Sequence, residues 1–278
     1  MKAIFDTLSA EFSKQTTQKY STSFSLGIKF LDKEFHKPIY AIYGFVRFAD
    51  EIVDSFHCYD KQTLLDKFCN DTNDSIKYKI SLNPILNSFQ HTVLKYNIER
   101  NLIDTFLQSM KMDLQQEEHD CESFKKYILG SAEVVGLMCL RVFVKGDDAM
   151  YEKLKPSAMK LGSAFQKVNF LRDAKDDFEV LGRNYFPNVN LGKFNEHQKQ
   201  LIEADIDKDF RDALEGIRQL PSGSGRGVYL AYYYYKKLFD KIRRCPVEKV
   251  MSERIRIPNS NKLVFMFNSY LRHQFNLF

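Results

Sequence analysis

The segment QKVNFLRDAKDDFEVLGRNYFP, residues 166–187, places Asn169, Asp173 and Asp177 at i, i+4 and i+8. At about 100° and 1.5 Å per residue, a helix sets those side chains in one row, so one face is acidic where a core face should be oily. Leu161, Phe165, Val168 and Leu171 keep the segment amphipathic beside the row, which argues for a packed helix whose carboxylates look into a cavity. Oxygen ligands without Cys or His suit a hard ion such as Mg²⁺, which keeps waters and phosphate oxygens in its remaining positions. A diphosphate substrate follows from that chemistry. The competing reading is a solvated acidic face paired with Lys and Arg, which one DxxxD alone does not exclude.

A second row lies far upstream in YAIYGFVRFADEIVDSF, residues 40–56, where Asp50 and Asp54 repeat the one-turn spacing and Arg47 sits one turn before. Ala41, Ile42, Phe45, Phe48, Ala49, Ile52 and Val53 surround the pair, so the two aspartates sit on a buried helix and need cations there. Two acidic rows on two buried helices imply a shared metal site. The stretches YGFVRFADEIVD and NFLRDAKDDFEVLGRNYFP resemble, in spacing, order and separation, the two aspartate-rich signatures of the squalene and phytoene synthase family, the head-to-head prenyltransferases.

The resemblance runs from about Ser21 to Leu263 and implies an all-α, single-domain helical bundle over 1–278, of the isoprenoid synthase type, with a central cavity. It implies Mg²⁺, with Mn²⁺ able to substitute, on Asp50, Asp54, Asn169, Asp173 and Asp177. The resemblance further implies that the four aspartates act with Tyr43, Arg183 and Tyr185 in catalysis, with Arg183 and Tyr185 expected as a flap over the diphosphate. Ser21, Ser23 and Phe24 match a Ser-x-Ser-Phe element near a substrate diphosphate, although hydroxyls there also suit a helix cap; Tyr20 stands where some relatives carry His. The resemblance implies Arg47, Gln166, Asn169, Arg172, Tyr235 and Arg254 as the further diphosphate contacts, with Arg256 and Lys262 in the same basic stretch. By the same resemblance Phe24, Ile28, Tyr127, Val134, Val135, Gly136 and Leu137 are expected to line the hydrocarbon tunnel; the alternative for the thin side at Gly130, Ser131, Ala132 and Gly136 is close helix packing.

Composition fits this frame. Apolar residues make up 44% and charged residues 28%, which excludes disorder, and 24 Phe with 15 Tyr indicate an oily interior. A net charge of +5 without an RNP-like motif or zinc-finger spacing argues against nucleic acid. Five cysteines without CxxC indicate reduced thiols and a cytoplasmic protein. The N-terminus lacks a secretory h-region, no apolar run reaches about 18 residues, and the expectation is a soluble chain or one peripheral at the inner membrane face, aided by the tail NSYLRHQFNLF. Period-3.6 spacing dominates, with helices over DKQTLLDKF, PILNSFQHTVLKYN and LIDTFLQSMKMDL, a break at NDTND (70–74), and one helix over FKKYILGSAEVVGLMCLRVFV. Pro187 is expected to end the helix of the second row. The glycines of PSGSGRGVYL match neither GxxxxGK[ST] nor GxGxxG and read as a loop entering the next helix. Six scattered His without HExxH, and no GxSxG elbow, exclude the zinc-protease and hydrolase motifs.

The expected reaction, as the resemblance implies, joins two geranylgeranyl diphosphates to phytoene through a cyclopropylcarbinyl diphosphate. Squalene, hydroxysqualene or dehydrosqualene formation from farnesyl diphosphate would share every motif, and NADPH is expected only for a squalene-forming enzyme. A head-to-tail prenyltransferase or cyclase would show DDxxD in place of DxxxD, and a non-enzymatic helical scaffold would bind nothing at the aspartates. The two rows are expected to serve different diphosphates, the second with Arg183 and Tyr185, the first with Arg47 and the Ser21 and Ser23 hydroxyls. The sequence leaves the oligomeric state open.

Overall fold

A computed structural model describes residues 1–115, 119–179, 183–187, 189 and 194–258, with only the backbone at Phe178. Twelve α-helices carry the described chain: α1 (Lys2–Tyr20), α2 (Thr22–Lys29), α3 (Lys33–Ser55), α4 (Lys61–Tyr78), α5 (Pro84–Tyr96), α6 (Arg100–Gln115), α7 (Cys121–Ile128), α8 (Val134–Val144), α9 (Asp148–Glu179), α10 (Glu196–Ile217), α11 (Ser222–Arg243) and α12 (Val247–Ser252). A π-turn, Leu129–Glu133, joins α7 to α8. No strand occurs among the described residues.

Local chemistry sets the helix ends. The Asn83 side chain accepts from Ile85 and Leu86, ahead of Pro84 at the first helical position. Asp60 and Asp120 cap α4 and α7, and Asn195 with Gln198 forms a capping box on α10. Lys79, Asn97 and Lys145 take left-handed φ values that close α4, α5 and α8.

Four local expectations are corrected. The polar run 70–74 lies inside α4, because Thr72 and Ser75 are buried with their hydroxyls bonded to the Phe68 and Thr72 carbonyls. The glycines of residues 221–230 lie inside α11, where a Cβ at Gly227 would stand 2.4 Å from Leu31. The segment 124–144 is interrupted by the π-turn. The second-row helix is described as far as Glu179, and residues 183–187 are not helical, so it ends before Pro187.

Two apolar clusters flank α9. One is built on α3, α5, α6 and α8, where Phe45 stacks on Phe89 at 4.0 Å and tilts against Phe106 at 5.3 Å; the other joins α9, α10 and α11 around Phe210 and Phe239. A buried ionic clip ties α9 to α10: Lys167 Nζ donates to Asp209 Oδ2 at 2.7 Å, and Ser163 and Lys160 hold the same carboxylate. The stretch Cys121–Val144 is long and apolar enough to cross a bilayer by composition, yet most of its apolar part is buried inside the protein, where it forms a cavity wall.

Helix α1 is polarised in reverse. Ser9, Ser13 and Thr17 are fully buried, while Ile4, Leu8 and Phe12 are more than half exposed. The hydroxyls bond the carbonyls one turn back, which leaves a thin inner face that α3 approaches closely: a Cβ at Gly44 would stand 3.3 Å from Ser13 Oγ.

A similar close approach holds the π-turn on α6. A Cβ at Gly130 would lie 2.6 Å from Ser109 Cβ and 2.8 Å from the Thr105 carbonyl, and backbone cannot step aside. Gly130→Ala is therefore expected to destabilise the fold by about 2 kcal/mol or more, read as a lower urea midpoint; an unchanged midpoint would refute the close packing.

Candidate active site

A cavity of about 670 Å³ runs through the bundle, walled by α2, α3, α6, the α7–α8 segment, α9 and α11. One end gathers charge: Arg47, Asp50 and Asp54 from α3, Asp113 from α6, and Asn169, Arg172, Asp173, Asp176 and Asp177 from α9. Beyond them the wall is hydrocarbon, with Ile28, Ile42, Val46, Leu161 and Leu220 among its residues.

Burial, with the neighbouring Asp54 and Asp113 carboxylates, pushes Asp50 up to about 8 against the pull of Arg47. Burial likewise raises Asp113 to about 7, and Asp177 to about 7 with the added repulsion of Asp173 and Asp54. These carboxyls are short of positive charge, which is the condition a cation would relieve. The donors Asp50, Asp54, Asn169, Asp173 and Asp177 are all hard oxygens and fit Mg²⁺. Among the described residues, however, no three acidic, His or Cys side chains converge on one point. Each row offers a few such oxygens, and an ion held there would draw its remaining ligands from substrate and water.

The raised carboxyls have a measurable consequence. An unfolded Asp releases its proton near 3.8, so between that value and about 8 the folded chain binds more protons at Asp50, Asp113 and Asp177. Their contribution to stability is therefore present at low pH and lost as pH rises through their folded values. His119, depressed by burial from 6.5, opposes this only below that value. The melting midpoint of chelator-treated protein is expected to fall from pH 6.5 to about 8.5, and a midpoint that rises would contradict the assignment.

Cations interleave with the acids. Arg172 pairs with Asp173 (Nε–Oδ1 3.0 Å), and Arg254 Nε reaches the same carboxylate at 2.7 Å. Arg47 pairs with Glu51 and lies over the Tyr20 ring at 4.4 Å, so Tyr20 sits under a guanidinium at the mouth. Arg183, mostly buried, donates to Asp54 Oδ1 at 3.0 Å, to the Asp113 carbonyl at 3.1 Å and to Tyr185 Oη at 3.2 Å. Arg183 follows the second row in sequence, and it bonds both rows: its side chain donates to Asp54 of the first, and its backbone N–H to the Asp177 carbonyl of the second at 2.9 Å. Tyr185 is buried, stacked on Phe170 at 4.1 Å, and lines the cavity wall.

Asp113 is the residue the sequence reading missed. Tyr127 Oη donates to it at 2.8 Å and Tyr185 Oη at 3.3 Å. A signal existed, since Asp113 continues the apolar face Ile103, Phe106, Met110 of α6, where a lone carboxylate needs a reason. Tyr127, expected along the tail, therefore belongs to the polar end through its hydroxyl.

An aromatic collar separates charge from hydrocarbon. Phe24 tilts against Tyr43 (5.8 Å) and Tyr235 (5.9 Å), and Phe165 stacks on Tyr235 at 4.0 Å. Tyr235 Oη donates to Asn169 Oδ1 at 3.2 Å, and Asn169 Nδ2 donates to Gln166 at 3.3 Å. Burial pushes the Tyr43 phenol up to about 12. Ser21 both caps α2, accepting from Phe24 N at 3.1 Å, and lines the cavity; Ser23 is off the wall. Val135 and Gly136 line the lumen, whereas Val134 and Leu137 do not: four consecutive helical residues cannot share one face, and those two are buried in the core. Gly136 also serves packing, with Ala158 O 2.9 Å from where its Cβ would be. Arg256 is exposed, its carbonyl accepting from Lys241, and Lys262 and residues 268–278 lie outside the described residues.

Comparison with known proteins bears on the family and the fold. The family model for squalene/phytoene synthase matches residues 17–261. A phytoene synthase from Arthrospira platensis is 24% identical over 95% of this chain and 93% of its own, and a 15-cis-phytoene synthase from Synechocystis is 27% identical over 95% and 85%. A solved dehydrosqualene synthase superposes with a TM-score of 0.83 at 17% identity, covering 97% of this chain and 98% of its own. A squalene synthase from Alicyclobacillus acidocaldarius does so with 0.74 at 20% identity, covering 85% and 93%. With both aspartate rows set at the charged end of an oily cavity, and with the family match spanning nearly the whole fold, this chain belongs to the squalene/phytoene synthase family.

Proposed function

We propose that this chain condenses two prenyl diphosphates head to head, releasing diphosphate, and that its product is phytoene from two geranylgeranyl diphosphates. The observation that carries the reading is one cavity with two acidic rows, Asp113 and four arginines at one end and hydrocarbon along the rest. The phytoene assignment leans on the names of the curated relatives. Mg²⁺ or Mn²⁺ on Asp50, Asp54, Asn169, Asp173 and Asp177 would supply charge neutralisation to a departing diphosphate.

The chain's own residues supply the rest. Arg47, Arg172, Arg183 and Arg254 present planar forks that match phosphate oxygens, already oriented by their carboxylate partners. Charge developing on the leaving oxygen is thereby met by fixed donors. The ring faces of Phe24, Tyr43, Phe165 and Tyr235 stand where the allylic carbons would lie and favour positive charge without adding a nucleophile. The oily wall keeps water from the cation.

Incubation with C15 and C20 diphosphates, with and without NADPH, tests the reading. A C40 hydrocarbon without reductant is expected; a C30 product alone, or a requirement for NADPH, overturns the phytoene assignment. Because Val135 is on the lumen wall and Val134 is not, Val135→Phe is the variant expected to shorten the accepted chain. Unchanged C40 output from it would remove Val135 from the tail path.

A further inference from the structure

Helix α1 packs through its hydroxyls and turns its oil outward. Ile4, Leu8 and Phe12 stand at i, i+4 and i+8 on the side away from buried Ser9 and Ser13, where a soluble helix would carry polar side chains. Such exposure is not spread over the molecule. Of the thirteen large apolar side chains exposed among the described residues, nine fall in two stretches, 1–20 and 77–95. Those stretches share one surface. α1 packs on α5, and Asn87 Nδ2 donates to Asp6 Oδ1 and Ser9 Oγ of α1, both at 3.1 Å, while Asn87 Oδ1 accepts from the Ser81 N–H of the α4–α5 connection at 3.4 Å. Tyr78, Ile80 and Leu82, the last 92% exposed, are therefore held beside α1.

The same stretches concentrate positive charge. They hold six lysines, all exposed, against Asp6 and Glu11, a surplus of four in a chain whose net charge is +5. Asp6 is already engaged, by Lys2 at 2.9 Å and by Asn87. Lys77 and Lys79 alternate in sequence with Tyr78, Ile80 and Leu82, so ammonium groups and oil are interleaved. Exposed oil gathered on one face marks an interaction surface. The charge decides the partner. A second copy meeting this face about a two-fold axis would set lysines against lysines. An anionic bilayer accepts both features, with apolar side chains at the acyl boundary and lysines at the headgroup phosphates, their stems lying along the oil.

We propose that α1 and the α4–α5 connection form a docking surface for an anionic lipid bilayer, entered by Ile4, Leu8, Phe12 and Leu82 and held by the flanking lysines. α1 ends at Tyr20 on the cavity wall, so the cavity opens at one end of the docked helix. Docking does not depend on what the cavity binds, and its failure would leave the prenyl reading standing.

Flotation of the full chain with vesicles of phosphatidylcholine alone, and of phosphatidylcholine mixed with phosphatidylglycerol, tests it without turnover. Wild type is expected to bind the mixed vesicles about 10-fold more tightly than the neutral ones, an advantage that high salt removes. Leu8→Glu with Phe12→Glu should weaken binding to both by about 10-fold or more. Lys77→Gln with Lys79→Gln should weaken it about 10-fold on the mixed vesicles only. All four side chains are exposed, so the melting midpoints should match wild type, which separates the effect from misfolding. Wild type left unbound by mixed vesicles, or either double variant binding them as wild type does, overturns the assignment. A dimer that Leu8→Glu dissolves, in a chain that ignores vesicles, would give the face to a second copy instead.

Discussion

Asp50→Ala or Asp173→Ala is expected to lower turnover by about 10³-fold or more, equivalent to roughly 4 kcal/mol of transition-state stabilisation, while the helical fold persists. The two residues fail for different physical reasons. Asp50 is crowded by carboxylates and sits at about 8, so removing it relieves repulsion in the free protein and takes away an oxygen that a cation needs. Asp173 holds Arg172 and Arg254 in place, so its loss also frees two guanidiniums from the mouth. Diphosphate release measured with C15 and C20 substrates, beside a melting curve, checks both. Turnover within tenfold of wild type in either variant would remove that row from the chemistry.

Arg183→Ala is expected to lower the maximal rate by about 10²-fold, with a smaller change in KM, in line with the loss of one fixed charge-stabilising donor. Arg183 joins α3, α6 and the segment after α9 through Asp54, the Asp113 carbonyl and Tyr185. Without it Asp113 loses its largest favourable partner and is held neutral further up the pH scale. Arg183→Lys should rescue little, because an ammonium cannot span three acceptors on different elements. A normal rate in Arg183→Ala would sink the assignment.

Much of this was legible beforehand. The helical period, both aspartate rows and the arginines near them follow from spacing, because a helix converts sequence intervals directly into shared faces. What was hidden depends on which elements meet. Asp113 acquires meaning only when α6 brings it under Tyr127, Tyr185 and Arg183, and the bond from Arg183 to Asp54 joins residues far apart in sequence, which no periodicity encodes. Val134 and Val135 are neighbours in sequence, and the phase that puts one in the core and the other in the lumen depends on the π-turn, itself fixed by the contact of Gly130 with α6. The polar run in α4 misled because small hydroxyl residues read as a break when exposed and as helix when buried.

The reversed polarity of α1 sets unusual terms for how this chain can drift. A substitution matrix tuned to ordinary amphipathic helices would penalise Leu8→Glu and forgive Ser13→Leu. Here the ordering is inverted: Leu8 projects outward, whereas a Leu at position 13 would press on Gly44 where α1 and α3 all but touch. Folding alone would therefore let homologous chains that keep this helix vary in oil and charge along 4, 8 and 12, while confining them to small side chains at 9, 13 and 17.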